Sequence, residues 1–122
     1  KLFDYIYLIC GPDKSHISRK IMNDSNKKYF IDCSSKDLQG VILAIKSSDF
    51  YVGNNSGPLN MSAALGIKTF GLIANDPVSE LKFSKINPIT PKDYTDNVWN
   101  RDRSGMKKLK PNEVFEKIIE KL

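Results

Sequence analysis

An α/β fold built on a parallel sheet is what this sequence predicts, on three observations. Short apolar runs rich in aromatic and β-branched residues recur along the chain. Glycine, proline or polar residues break each run abruptly. Between the runs lie segments whose apolar residues return at helical spacing, and strands that alternate with helices in this way make βαβ units with right-handed crossovers.

The first run, Tyr5-Ile6-Tyr7-Leu8-Ile9-Cys10, is continuous and apolar, the mark of a strand covered on both faces. Gly11-Pro12 ends it, and Asp13 or Ser15 is placed to cap a helix carrying Ile17, Ile21 and Met22 on one side. Polar residues Asn23 to Lys28 turn the chain into a second strand, Tyr29 to Cys33. Ser34 and Asp37 then resemble a capping box. Leu38, Val41, Ile42 and Ile45 follow at i, i+3, i+4 and i+7, the clearest amphipathic helix in the chain. Asp49 to Val52 reads as a third strand and Lys68 to Ile73 as a fourth.

Beyond Ile73 the pattern loosens. Ala74 to Lys85 reads as a polar loop, and Ile86-Asn87-Pro88-Ile89 as a short edge strand, where proline is tolerated. Thr90 to Lys110 has no periodicity and is expected to be a surface excursion pinned by Trp99. Pro111 opens a last helix with Phe115, Ile118, Ile119 and Leu122 on one face. No internal repeat or low-complexity tract occurs.

With 122 residues, 40% of them hydrophobic and 27% charged, the chain fits one globular domain, 1–122, rather than a disordered segment. No apolar run approaches the roughly 20 residues that span a bilayer. It begins Lys1-Leu2-Phe3-Asp4 and enters a strand at once, as expected of a piece excised from something longer. Cys10 and Cys33 lack the CxxC spacing of a zinc or redox site, so buried free thiols in a reducing cytoplasm are expected. The formal charge of +5 comes from scattered lysines rather than from a stripe interleaved with aromatics. It suits an anionic ligand or membrane headgroups, and no nucleic-acid partner is expected.

One stretch organises the rest: Val52-Gly53-Asn54-Asn55-Ser56-Gly57-Pro58-Leu59-Asn60. An apolar strand stops at Gly53, a polar turn with two glycines follows, and Pro58 opens a small-residue helix closed by Gly66. A helix that starts after a strand in this way presents free N–H groups and partial positive charge to a phosphate, although an ordinary βα connection reads the same. In parallel sheets ligands bind outside the carboxyl ends of the strands. The loops Gly11–Ser15, Gly53–Pro58 and Ala74–Pro77 are therefore expected at one rim, joined by Ser34–Asp37.

The chemistry available at that rim narrows the choice. Ser56 is off-centre for a GxSxG nucleophile elbow, and the single histidine, His16, falls in the first turn of a helix. Neither GxxxxGK[ST] nor GxGxxG occurs, and no acidic, histidine or cysteine cluster has metal-ligand spacing. Backbone N–H groups, hydroxyls and amides remain, with Asp13 the one well-placed carboxylate. They suit holding a nucleotide, Asp13 taking ribose hydroxyls, though on spacing alone a plain helix cap accounts for Asp13 slightly better.

The full string from Asp49 to Thr69, DFYVGNNSGPLNMSAALGIKT, resembles the signature of glycosyltransferase family 9, the ADP-heptose:lipopolysaccharide heptosyltransferases and their relatives. The family form reads roughly D-x-x-V-G-N-D-S-G-P-M-H-x-A-A-A-L-G-x-P-T. Gly11-Pro12-Asp13 is similar to the family's G-P-x-E/D loop, and the likeness extends to Pro88-Ile89-Thr90-Pro91 and to Gly105-Met106.

This resemblance implies one Rossmann-like three-layer α/β/α domain with a mostly parallel sheet, the C-terminal, donor-binding half of a two-domain GT-B enzyme. It implies Gly53, Asn54, Asn55, Ser56, Gly57 and Asn60 in a donor-binding loop at the diphosphate and sugar, Asp13 at the ribose, and Lys36 beside the adenine. The ligand would be ADP-heptose or a similar nucleotide sugar, used as substrate. The partners would be an N-terminal half carrying the catalytic aspartate and a phosphate-binding lysine, and a lipid-linked or oligosaccharide acceptor. The place of action would be the cytoplasm, with a peripheral position at the inner membrane. Two positions depart from the family: Asn55 stands where it has an acid, and Asn60 where it has a histidine. The first removes a negative charge beside a diphosphate, the second a titratable imidazole. A non-catalytic relative that binds a nucleotide, a glycan or a protein is the alternative.

Overall fold

A computed structural model describes residues 3–24, 27–96 and 104–122, with the side chain of Lys27 left out. The fold is α/β, and the described residues form two small parallel sheets and four α-helices. The chain divides into two compact units, Lys1–Ser47 and Ser48–Leu122. No helix among the described residues is long and apolar enough to cross a membrane.

In the first unit, β1 (Ile6–Leu8) pairs in parallel with β2 (Phe30–Asp32), and α1 (Ser15–Asp24) connects them. The first strand is shorter than its apolar run, and it is not covered on both faces: Tyr5 is 65% exposed and Ile6 36%. The apolar side expected of α1 also differs, because Ile17 and Ile21 are exposed while Ser18 is buried. Polarity decides this orientation. Ser18 Oγ donates to Asp32 Oδ1 at 2.8 Å, and the Ser34 backbone N–H donates to the same oxygen at 2.9 Å. A buried hydroxyl with such a partner is worth about 1 kcal/mol, and without one it is costly. The backbone bond from Ser34, with the Ser18 hydroxyl next, holds the Asp32 carboxyl below the usual range.

The helix α2 (Leu38–Lys46) forms where the periodicity placed it, but its cap differs. Asp37 is itself the N-cap, its Oδ1 accepting the Gly40 N–H at 2.8 Å, while Ser34 belongs to the Asp32 turn. Ile45 is buried, Val41 and Ile42 are half-buried, and Leu38 at the helix start is exposed. Cys33 is buried and Cys10 half-buried; both are free thiols that burial pushes above the ordinary range.

The second unit holds three parallel strands in the order β3 (Phe50–Asn54), β4 (Lys68–Leu72) and β5 (Ile86–Ile89). Val52 stands opposite Phe70, and Gly53 opposite Gly71. Alternation along the strands sends side chains to two faces. Tyr51 and Ile86 join Leu59 and Ala63 of α3 (Gly57–Ala64) on one face. Phe50, Val52, Phe70, Leu72 and Ile89 join Val114 and Ile118 of α4 (Pro111–Lys121) on the other. Within this unit helices therefore cover both faces of the sheet, in three α/β/α layers, whereas the single sheet expected over 1–122 is divided into one of two strands and one of three. Pro88 lies opposite Gly71 on the outermost of the three strands, as an edge proline should.

The last helix packs by only one member of the face its spacing suggested, Ile118, together with Val114 beside it. Val114 and Ile118, one turn apart, enter the core, and Phe115, Ile119 and Leu122 are 45%, 40% and 54% exposed. Two side chains suffice because a short 3-10 segment, Ser104–Lys108, leads Leu109 onto the same cluster. The expected pinning by Trp99 lies outside the described residues.

The end of α3 is closed as the sequence indicated. The Gly66 N–H donates to the Ala63 carbonyl and the Ile67 N–H to that of Ser62, with Gly66 at φ +77°. This is a Schellman cap, which needs a left-handed residue. Replacing Gly66 by alanine is therefore expected to destabilise the second unit by about 1 kcal/mol, read from the shift of a urea unfolding midpoint. For the first unit the sign follows from Asp32. Its folded-state carboxyl is more acidic than in the unfolded chain, so its contribution is complete above the ordinary carboxylate range and is lost as pH falls through the folded value. Asp32→Asn is expected to flatten the acid limb of the stability–pH curve below about pH 4, measured by thermal unfolding from pH 2 to 7.

Candidate functional site

The strand β3 runs two residues past its apolar stretch, through Gly53 to Asn54, because both remain paired with β4. The chain then turns at Asn55, and Ser56 occupies the N-cap of α3. An N-cap serine ordinarily accepts an N–H of the first turn. This one does not. Its Oγ donates instead to the Asn54 carbonyl at 3.0 Å, and Pro58 in the first turn has no N–H to satisfy. The start of α3 thus opens at the carboxyl end of β3 with no side chain closing it, an arrangement that suits an anion. Gly57, next to the cap, is exposed, as are Asn54 and Asn55.

The two amides that depart from the glycosyltransferase pattern both have internal partners. Asn60 Nδ2 donates to the Ser56 carbonyl at 3.0 Å, back along its own helix. Asn55 Nδ2 donates to Asp76 Oδ2 at 3.3 Å. That contact joins the motif loop to the Ala74–Pro77 loop beyond β4, so two of the loops expected at one rim do meet.

Asp13 and Lys36 belong to the first unit, beyond the carboxyl ends of β1 and β2, and both are exposed. Asp13 is not a helix cap. It sits inside a 3-10 turn, Pro12–Lys14, that runs into α1, and its carboxylate folds back against Gly11, where a side chain would have to displace it. Lys36 lies in the turn before α2, its N–H donating to the Cys33 carbonyl at 3.2 Å. No ion pair joins Asp13 and Lys36 among the described residues. The serine-nucleophile idea gains nothing: Ser56 Oγ is spent on a backbone carbonyl, and His16 is exposed on α1. Among the described residues no group of three acidic, histidine or cysteine side chains could hold a metal ion.

Sequence reasoning missed Tyr51 and Tyr94 here, and it gave Asp76, inside an expected rim loop, and Gly105, inside the family likeness, no role of their own. Tyr51 lies beneath the motif loop with its phenol against Gly53, and burial pushes that phenol up, partly offset by a hydrogen bond with Ser56. Asp76 faces Asn55. Tyr94 accepts the Val78 N–H at 2.7 Å and donates to the Asp76 carbonyl at 2.8 Å. Gly105 donates its N–H to Asn75 Oδ1 at 3.0 Å and passes so near the Ala74 carbonyl that any side chain would collide with it. The Asp76-Pro77 pair was a legible turn signal, but Tyr94 and Gly105 lie in the stretch without periodicity.

No family model matches the chain, and no curated protein or solved structure matches it.

The Asn55–Asp76 contact predicts the outcome of restoring an acid to the motif. Asn55→Asp sets two carboxylates against each other, and the repulsion raises the affinity of one for a proton. Stability relative to the natural chain should therefore fall as pH rises through about 4 to 6. Thermal unfolding at pH 4 and pH 7 checks this, with the larger deficit at pH 7; equal deficits would show that the two side chains do not interact.

Proposed function

We propose that this chain is the nucleotide-sugar donor-binding domain of an inverting, heptosyltransferase-like glycosyltransferase that builds lipopolysaccharide or a related surface glycan. The observation that carries the reading is the open start of α3: an uncapped first turn at the carboxyl end of a parallel strand, reached through Gly53 and Gly57. The sequence from Asp49 to Thr69 supports it from a second direction, through its likeness to the family 9 signature.

In this reading the N–H groups at the start of α3 hold the donor diphosphate, and Asn55, Ser56 and Gly57 line its approach. An acceptor hydroxyl attacks the anomeric carbon while the bond to the nucleoside diphosphate breaks. A carboxylate from an N-terminal half takes the hydroxyl proton. The part played by this chain is to hold the departing diphosphate with donors already in place, a large contribution in reactions that develop charge. The ribose and base roles of Asp13 and Lys36 come from the resemblance alone. The acceptor would be lipid-linked or an oligosaccharide, and the enzyme would work in the cytoplasm at the inner-membrane surface.

A second reading, a non-catalytic relative that only binds, is favoured by one specific observation. The amides of Asn55 and Asn60 are both engaged within the protein, where the family pattern has an acid and a histidine. Joining this chain to its N-terminal half and assaying transfer separates the two readings.

Isothermal titration of the chain with ADP, ADP-heptose, UDP and GDP tests the shared claim. Binding of at least one is expected with a Kd on the order of 10⁻⁴ M, about 5 kcal/mol, and no transfer by the chain alone. Absence of binding to all four, with the fold intact by circular dichroism, would falsify the donor-site reading.

A further inference from the structure

Asn55 meets three conditions that together open an asparagine to attack by its own backbone. The residue after it, Ser56, is the smallest that follows any asparagine in the chain. Asn55 and Ser56 belong to neither β3 nor α3, so no ladder or helix fixes the peptide between them. Asn55 is exposed, and the Ser56 N–H has no hydrogen-bond partner among the described residues. Attack by that nitrogen on the side-chain carbonyl carbon closes a five-membered ring, a reaction favoured by the proximity of its two ends.

The other described asparagines each lack a condition. Asn54 is held in the β3 ladder opposite Leu72. Asn23, Asn60 and Asn112 lie within helices. Asn87 precedes Pro88, which has no N–H. Asn75 is followed by the larger Asp76, and its side-chain oxygen accepts the Gly105 N–H at 3.0 Å. The side chain of Asn55 is restrained only by the exposed 3.3 Å hydrogen bond from Nδ2 to Asp76 Oδ2 among the described residues.

We propose that Asn55 is a self-modifying site: it deamidates through a cyclic imide, and its contact with Asp76 is the latch that sets the rate. A solvent base removes the Ser56 N–H proton, and the nitrogen attacks Asn55 Cγ. The bond from Cγ to Nδ2 breaks, and Nδ2 takes a proton from water and leaves as ammonia. Water then adds to either carbonyl of the imide and opens it, giving aspartate or its β-linked isomer. Either product sets a carboxylate where an amide donor faced Asp76, so the contact between the two loops turns repulsive. In the donor reading the new charge also stands beside the start of α3 and opposes an anion there. That consequence rests on the reading; the modification does not.

The test is peptide mapping by mass spectrometry of the full chain after incubation at pH 8, with no ligand added. A mass gain of about one dalton is expected at Asn55, with Asn54, Asn60 and Asn75 unchanged over the same period. Asp76→Ala opens the latch and should speed the conversion about fivefold, the worth of one exposed hydrogen bond. Ser56→Val crowds the attacking nitrogen and should slow it about fivefold or more. Circular dichroism checks that the variants fold, and the site is decided on the natural chain alone if they do not. Conversion at Asn55 no faster than at Asn54, Asn60 or Asn75 overturns the proposal. So does a folded Asp76→Ala chain that converts no faster than the natural one, since the contact then holds nothing back. Neither result bears on the donor site, which the titrations with ADP and ADP-heptose test separately.

Discussion

Parallel pairing of β3, β4 and β5 is the constraint from which the second unit follows. In a parallel ladder every strand enters from the same side, so all carboxyl ends emerge together and every return must cross a face of the sheet. The returns supply α3 on one face, and α4 closes the other. The strand side chains alternate to match, Tyr51 toward α3 and Phe50 and Val52 toward α4. The same geometry places the motif loop and the Asp76 loop side by side, although 21 positions separate Asn55 from Asp76 in the chain.

Those loops must satisfy their polar groups without a ladder, and they do so by borrowing from distant sequence. Tyr94, Asp96 and Gly105 all follow β5, yet they bind Val78, Ser79 and Asn75 in the loop after β4. Inside the sandwich the corresponding problem is solved by the Ser62 and Thr69 hydroxyls, 2.8 Å apart and both buried. In the first unit Asp32 gathers Ser18 and Ser34 in the same way. Where the groups are buried or partly so the cause is the same: a donor or acceptor left unpaired there costs more than the net gain of a typical hydrogen bond.

Local signals in the sequence were reliable where one residue or one short period carries the physics. Gly66 closes α3 because only a left-handed residue completes that cap. Pro88 marks an outer strand because it lacks a donor, and Ile45 is buried where the helical period placed it. The signals failed where two faces or two partners compete. Of the stripe Phe115, Ile118, Ile119 and Leu122 only Ile118 is buried, and Val114, from outside the stripe, joins it against Phe70 and Ile89. Ser34 looked like a cap for α2 and instead completes the turn around Asp32.

The sequence by itself determined the α/β class, the parallel order implied by alternating strands and helices, and the strand–loop–helix order with a helix start at Gly57–Pro58, since these depend on periodicity and on the chemistry of glycine and proline. Tertiary structure alone decided what the side chains around that start do. Ser56 gives its hydroxyl to Asn54, Asn55 turns to Asp76, and Tyr94 takes the N–H that Asp76 would otherwise hold. A hydrogen bond goes to whichever partner the fold brings within reach, and for residues this far apart in the chain spacing contains no record of that choice.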